Sequence, residues 1–149
     1  MNAIDMIKED HQKVKSLFRD FEQAGEGAHK KKQDIAEKVF EELTVHSRLE
    51  EEIFYPAVRE KSSAEDKHLV AEAVEEHHVV DLLIEELKKL SPEDEQFTAK
   101  FTVLIENVEH HIEEEEEDML PDAEDILGDE LDEIGEKMER RKKEIMQEV

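Results

Sequence analysis

Two stretches of this sequence carry the same chemistry. His46-Ser-Arg-Leu-Glu50-Glu51-Glu52-Ile53-Phe54-Tyr55-Pro56 aligns without a gap on His111-Ile-Glu-Glu-Glu115-Glu116-Glu117-Asp118-Met119-Leu120-Pro121. In each, a His is followed one helical turn later by the first of three matching Glu, and a Pro closes the stretch. Upstream, Glu9-Asp10-His11 aligns on Glu75-Glu76-His77, so the chain repeats itself at an offset of 65 or 66 residues. Imidazole and carboxylate are nitrogen and oxygen donors. On a helix, residues i and i+4 share a face, with Cβ atoms about 5–6 Å apart. His46 with Glu50, and His111 with Glu115, can therefore each reach one centre, or two adjacent ones.

The elements that must position these donors are helices. Ile4, Ile7, His11, Val14, Phe18 and Phe21 alternate steps of three and four from about Ala3 to Ala24, and Gly25 and Gly27 end that segment. A second segment, about His29 to Lys61, has the seam Val39, Leu43, His46, Glu50, Ile53, Ala57, and Pro56 is expected to kink it or end its regular part. Ser62, Ser63 and Asp66 supply cap chemistry for a third helix with the seam Val70, Val74, His77, Asp81 or Val80, Ile84, Leu87. Ser91-Pro92-Glu93-Asp94 reads as an N-cap followed by Pro at the first helical position. The fourth seam is Phe97, Phe101, Leu104, Val108, His111, Glu115, with Pro121 expected to interrupt it. A fifth, shorter helix from about Asp129 carries Leu131, Ile134, Met138 and Ile145 on one face, and its basic cluster Arg140 to Lys143 suits a helix C-terminus.

No alternating β-branched runs or hairpin turn pairs occur. The expected fold is all-α: an antiparallel up-down-up-down four-helix bundle over residues 1–121. Residues 122–149 are then an amphipathic C-terminal helix, packed on the bundle or used at an oligomer contact.

Each of the four bundle helices thus places a His where a core Leu is expected. His77-His78 and His110-His111 are doublets, and repeat phase together with seam position selects His77 and His111. In a bundle, His11, His46, His77, His111, Glu50 and Glu115 point inward. Burying six such groups unpaired costs far more than a layer of apolar contacts gains. Cations are the simplest partners, and imidazole plus carboxylate without thiolate suits iron, manganese or zinc. With both carboxylates bridging and an added oxo or hydroxo group, the donors fill about ten of the twelve positions of two octahedral ions. The rest are open to water, O2 or another small ligand. Asp81, one turn after His77, is an additional ligand or an acceptor that orients a ligand His. Its counterpart in the first half is Lys15, so Asp81 breaks the repeat.

Composition narrows the function further. The chain has 149 residues, enough for one domain with a real core. It carries 44 acidic and 20 basic residues, a formal net charge of −24, which argues against nucleic acid and anionic membranes as partners. With no cysteine there are no disulfides, thiolate sites or cysteine nucleophiles. No apolar run approaches the roughly 20 residues of a membrane span. The polar start MNAIDMIKEDH lacks an apolar signal core, so a cytoplasmic protein is expected.

At these residues the chain resembles the hemerythrin-like HHE cation-binding domains. The resemblance covers about residues 3 to 121 and is carried by Asp10-His11, His46-x-x-x-Glu50 leading to Pro56, Glu76-His77, and His111-x-x-x-Glu115 leading to Pro121. It implies a four-helix bundle around two iron ions with an oxo or hydroxo bridge. It implies His11, His46, His77 and His111 as terminal ligands and Glu50 and Glu115 as bridges. The oxygen-carrying hemerythrins have a His where this chain has Asp81, and an Asp at the spacing of Glu116. Both departures weigh against reversible O2 carriage more than against metal binding.

The leading expectation is a non-haem di-iron protein, monomeric or homodimeric, that binds or reacts with O2, peroxide or nitric oxide, with Phe18, Val108 and Ile84 limiting access by water. One alternative is an enzyme that disproportionates peroxide or reduces nitric oxide at the same centre, although no acid–base pair beyond the ligands is evident. The other is an iron-sensing or iron-handling module.

Overall fold

The computed structural model describes residues 1–148, and three of the rods begin where short polar side chains accept the first free amides. Asn2 Oδ1 takes the Asp5 N–H at 2.9 Å and opens α1 (Ala3–Gln23). After Gly25 and Gly27 comes α2 (His29–Leu49), which passes through a π turn (Glu50–Phe54) into α3 (Tyr55–Glu60). Ser63 caps α4 (Ala64–Lys88). Then α5 (Glu95–Glu114) passes through a second π turn (Glu115–Met119) into α6 (Leu120–Leu127), and α7 (Glu130–Glu148) follows.

The fold is the expected antiparallel bundle of four helical rods: α1, α2 with α3, α4, and α5 with α6. Two local expectations are corrected. Pro56 and Pro121 neither end nor interrupt their rods. The amides of Tyr55 and Leu120 bond five residues back, to the carbonyls of Glu50 and Glu115. Each Pro then falls in the first turn of the segment that follows, where a missing N–H costs little. Likewise, α5 starts at Glu95 under an Asp94 cap rather than at Pro92. Ser91 to Asp94 folds into a turn closed by the Asp94 N–H on the Ser91 carbonyl at 2.9 Å. Ser and Pro at its first two positions are the residues such a turn favours.

The apolar seams build two separate clusters. One holds Ile7, Leu49, Phe54, Tyr55, Leu120 and Met138. The other is aromatic and contains Phe18, Phe21, Phe40, Phe97 and Phe101, with the Phe21 and Phe101 rings stacked 4.0 Å apart. Buried polar residues of the repeated motifs sit between them: His11 separates Ile7 from Val14 along α1, and His111 follows Val108 along α5.

The fifth rod, α7, lays Leu131, Ile134, Met138 and Ile145 against the bundle and packs along α1 and α2. Gly135 permits this approach. A Cβ there would overlap the Met1 carbonyl oxygen and stand 2.8 Å from the Ala3 amide nitrogen. Ion pairs extend the seam at its edges, Arg141 to Glu52 at 2.9 Å and Arg48 to Glu148 at 3.2 Å. No helix among the described residues is long and apolar enough to cross a membrane.

Candidate metal centre

The four His of the repeat and the two inward Glu meet in the middle of the bundle. All six are buried, Glu50 completely. They form two donor groups. Ligand atoms of His11, His46, Glu50 and Glu115 lie within 4.8 Å of one another, as do those of Glu50, His77 and His111. Glu50 Oε1 stands 3.0 Å from His46 Nε2 and 3.1 Å from His77 Nε2, so it spans both groups. Glu115 reaches both as well, with Oε1 3.3 Å from His11 Nε2 and Oε2 3.2 Å from His111 Nε2.

Asp81 is not drawn in. The seam steps from His77 to Val80 and Ile84, both buried, which leaves Asp81 exposed and outside both groups. Phe18, Ile84 and Val108 all belong to the apolar cluster on one side of the centre, and of the three Val108 adjoins the imidazoles.

Four further carboxylates hold the imidazoles from behind. Asp10 accepts from His46 Nδ1 at 2.9 Å and Glu76 from His111 Nδ1 at 2.7 Å. Glu51 accepts from His77 Nδ1 at 3.0 Å and Glu116 from His11 Nδ1 at 2.6 Å. A carboxylate can only accept, so each Nδ1 carries the proton and each Nε2 turns its lone pair inward. This is the arrangement that fixes metal-binding imidazoles and raises their basicity. Sequence reasoning missed these four groups as parts of the site, although a signal was there. Asp10 and Glu76 directly precede a motif His, Glu51 and Glu116 directly follow a motif Glu, and all four obey the repeat. Glu115 and Glu116 lie inside the acidic run from Glu113 to Asp118, whose composition alone does not single them out.

Tyr55 is a further oxygen at the centre. Its hydroxyl donates to Glu115 Oε2 at 2.6 Å and lies 3.4 Å from His77 Nε2. The π turn brings Tyr55 over Glu50, and its repeat counterpart is the apolar Leu120.

The donor set fits metal on its own geometry. Five of its buried atoms have no hydrogen-bond partner among the described residues: His11 Nε2, His46 Nε2, both Glu50 oxygens and Glu115 Oε1. Their nearest neighbours stand at 3.0–3.3 Å but are not aligned as hydrogen bonds. His77 Nε2 and His111 Nε2 face each other at 3.2 Å, although the Nδ1 bonds leave both as acceptors. Two donors about 2.1 Å from a shared ion, at right angles, are about 3 Å apart. Charge points the same way, since six carboxylates surround four imidazoles.

Without a cation, protons must fill that role. Burial opposes charge on His46, but Glu50 and Asp10 outweigh it and hold the imidazolium well above its usual range. His77 is raised as well, by Glu50 and Glu51 against the cost of burial. For His111, burial is overcome by Glu115 and Glu76, and its pKa is pushed up to about 10. The Glu115 carboxyl falls well below the usual range because the adjacent Glu50, His11 and His111 groups outweigh its burial. Burial and the adjacent Glu115 and Glu50 push the Tyr55 phenol well up, so it remains a donor.

The arrangement of four His and two Glu inside a helical bundle defines a cation-binding helical protein. The sequence model described as Hemerythrin HHE cation binding domain matches residues 2–123, and the chain belongs to that family. Its structure is similar to a crystal structure of a hemerythrin HHE cation binding domain-containing protein from Mycobacterium kansasii. The TM-score is 0.82 at 27% identity, covering 97% of this chain and 86% of that one. An uncharacterized protein of Mycobacterium tuberculosis (strain ATCC 25618 / H37Rv) is 31% identical over 124 residues, covering 81% of this chain and 71% of that protein. A protein of Nostoc sp. (strain PCC 7120 / SAG 25.82 / UTEX 2576) named DNA nickase is 32% identical over 116 residues, covering 78% of this chain. This chain spans 32% of that relative's length.

Proposed function

We propose that the protein holds two iron ions, joined by an oxo or hydroxo group, and uses them to bind or react with O2, peroxide or nitric oxide. His11, His46, His77 and His111 are the terminal ligands and Glu50 and Glu115 the bridges. The observation that carries this reading is the set of orphaned, buried donor atoms, arranged as two groups that share both carboxylates. When bound, the iron pair supplies electrons and open coordination positions to a small molecule.

The chain's own residues prepare the place for that molecule. A cavity of about 20 Å³ adjoins all four imidazoles, walled by Val14, Leu43, Val80, Val108 and Ile112. That is room for one water-sized molecule. Its apolar walls favour a small, weakly hydrated ligand over a large polar substrate. The Tyr55 hydroxyl is the proton-bearing group nearest the carboxylates and holds Glu115 Oε2 in place. Asp10, Glu51, Glu76 and Glu116 keep each Nε2 aimed inward.

The wider reading is of a binding or stress-responsive protein in the cytoplasm, supported by composition alone. The nickase name of the Nostoc relative belongs to a protein more than twice as long. A net charge of −24 opposes binding of this chain to a phosphate backbone. The test is optical. Metal-free protein is loaded anaerobically with Fe²⁺ and then exposed to air, peroxide or nitric oxide in separate samples. Two iron ions per chain and an oxo-to-iron charge-transfer band after air support the assignment. Iron uptake below one per chain, or no spectral change with any of the three, overturns it.

A further inference from the structure

One charged residue sits in an apolar seam and has no part in the centre described so far. Along α7 the buried positions Leu131, Gly135, Met138 and Ile145 recur in steps of three and four, and Lys142 fills the place between Met138 and Ile145. It stands there as the four His stand in the seams of the other rods. Its Nζ lies 3.7 Å from Asp10 Oδ1. Asp10 is itself buried and accepts from His46 Nδ1 through its other oxygen. Lys142, Asp10 and His46 therefore form a line from the surface of α7 to one of the two donor groups.

The other three carboxylates behind the imidazoles lack such a partner. Among the described residues, Glu51, Glu76 and Glu116 have no Lys or Arg nitrogen within 4.0 Å. Glu76 is the repeat counterpart of Asp10, and its neighbours beyond His111 are Glu114 and His110. One half of the repeat thus has a cation behind its hydrogen-bonded carboxylate, and the other half has a second carboxylate. A carboxylate that accepts Nδ1–H makes the imidazole a stronger metal ligand. A cation on the same carboxylate weakens that effect.

We infer that Lys142 is a positioning residue of the metal centre, acting through Asp10 to weaken metal binding at the His11/His46 position and so make the two positions inequivalent. This rests on the two-metal reading given above. It also gives α7, which lies beyond the residues matched by the family, a role other than packing.

The experiment is an anaerobic titration of the metal-free full chain with Co²⁺, followed by its d–d absorption. Wild-type protein takes up Co²⁺ in two resolvable steps. Lys142→Met tightens one step about three- to tenfold and alters the d–d spectrum of that step, leaving the other in place. Lys142→Gln shows the same shift, and Lys142→Arg restores wild-type behaviour. Lys143→Met, at the exposed neighbouring position, changes neither step. In an Asp10→Asn background, Lys142→Met has no further effect. Thermal melts of each metal-free variant verify folding. If Lys142→Met and Lys142→Gln bind Co²⁺ as the wild type does, or if Lys143→Met shifts both steps equally, the inference fails while the two-metal reading stands. If wild-type protein takes up fewer than two Co²⁺, both fall.

Discussion

Removing metal leaves a centre whose stability depends on protons, and His111 sets the scale. It faces Glu115 on its own rod, Glu76 and His77 of α4, and beyond them Glu50 and Tyr55. In the folded metal-free protein its pKa rises from 6.5 to about 10, because Glu115 and Glu76 overcome the cost of burial. The sign follows from linkage. A group whose pKa is raised by folding stabilises the protein fully below its unfolded value, and that stabilisation is lost as pH climbs to the folded value. The window is therefore pH 6.5 to about 10. At about 1.4 kcal/mol for each pH unit, the loss across it is on the order of 5 kcal/mol. His46 and His77, raised in the same direction, add to it. A protein of this size has only about 5–15 kcal/mol in total. Urea unfolding of metal-free protein at pH 6, 7, 8 and 9 should show the midpoint falling at each step. Zinc-loaded protein should not follow, because its imidazoles bind metal through Nε2 and need no proton there. A metal-free midpoint that stays level or rises between pH 6.5 and 9 would refute the ring of charge-assisted bonds around His111.

Other perturbations separate the parts of the structure. Tyr55→Phe removes the donor to Glu115 Oε2 and should cost about 1–3 kcal/mol in metal-free protein at pH 6; an unchanged urea midpoint would make the ring, not the hydroxyl, the useful part. Gly135→Ala forces α7 away from the Met1–Ala3 backbone and should cost about 1–3 kcal/mol, read as a lower melting temperature. Asp81→Asn should leave Zn²⁺ stoichiometry and affinity unchanged, since Asp81 lies outside both donor groups; a tenfold weaker affinity would return it to the centre. Glu51→Gln should weaken Zn²⁺ binding about 10- to 100-fold by loosening His77, measured by competition with a chromophoric chelator.

Much of this was legible in the sequence because seam and repeat are independent constraints that agree. His77 was distinguishable from His78, and His111 from His110, since only one of each pair satisfied both. Asp81 met the spacing but not the repeat, and the repeat was the better guide: a seam that steps by three to Val80 excludes the residue after it. The π turns were hidden because Pro56 and Pro121 look like breaks when only a four-residue hydrogen-bond pattern is considered. The contact of Tyr55 with Glu115 depends on the same five-residue turn. Lys142 read as one of four basic residues suited to a helix C-terminus. Its contact with Asp10 spans more than a hundred residues, and no local pattern encodes it.

The carboxylates behind the imidazoles also explain how a bundle keeps its fold with a polar layer at its middle. Asp10 joins α1 to α2 through His46, and Glu76 joins α4 to α5 through His111. Glu51 joins the second rod to α4 through His77, and Glu116 joins the fourth rod back to α1 through His11. The four bonds form a closed circuit around the bundle, each crossing from one rod to the next. Each rod contributes one imidazole and one carboxylate to it. A sliding rod would break both of its links at once and leave buried charge unpaired, which is far costlier than slipping one apolar layer past another. Leu and Phe seams alone tolerate such slips. The polar layer therefore fixes the register of the four rods while the two apolar clusters supply the bulk of the burial. The same bonds that fix the register aim the four Nε2 atoms inward, so a rod displaced by even one turn would lose the fold's alignment and the metal centre together.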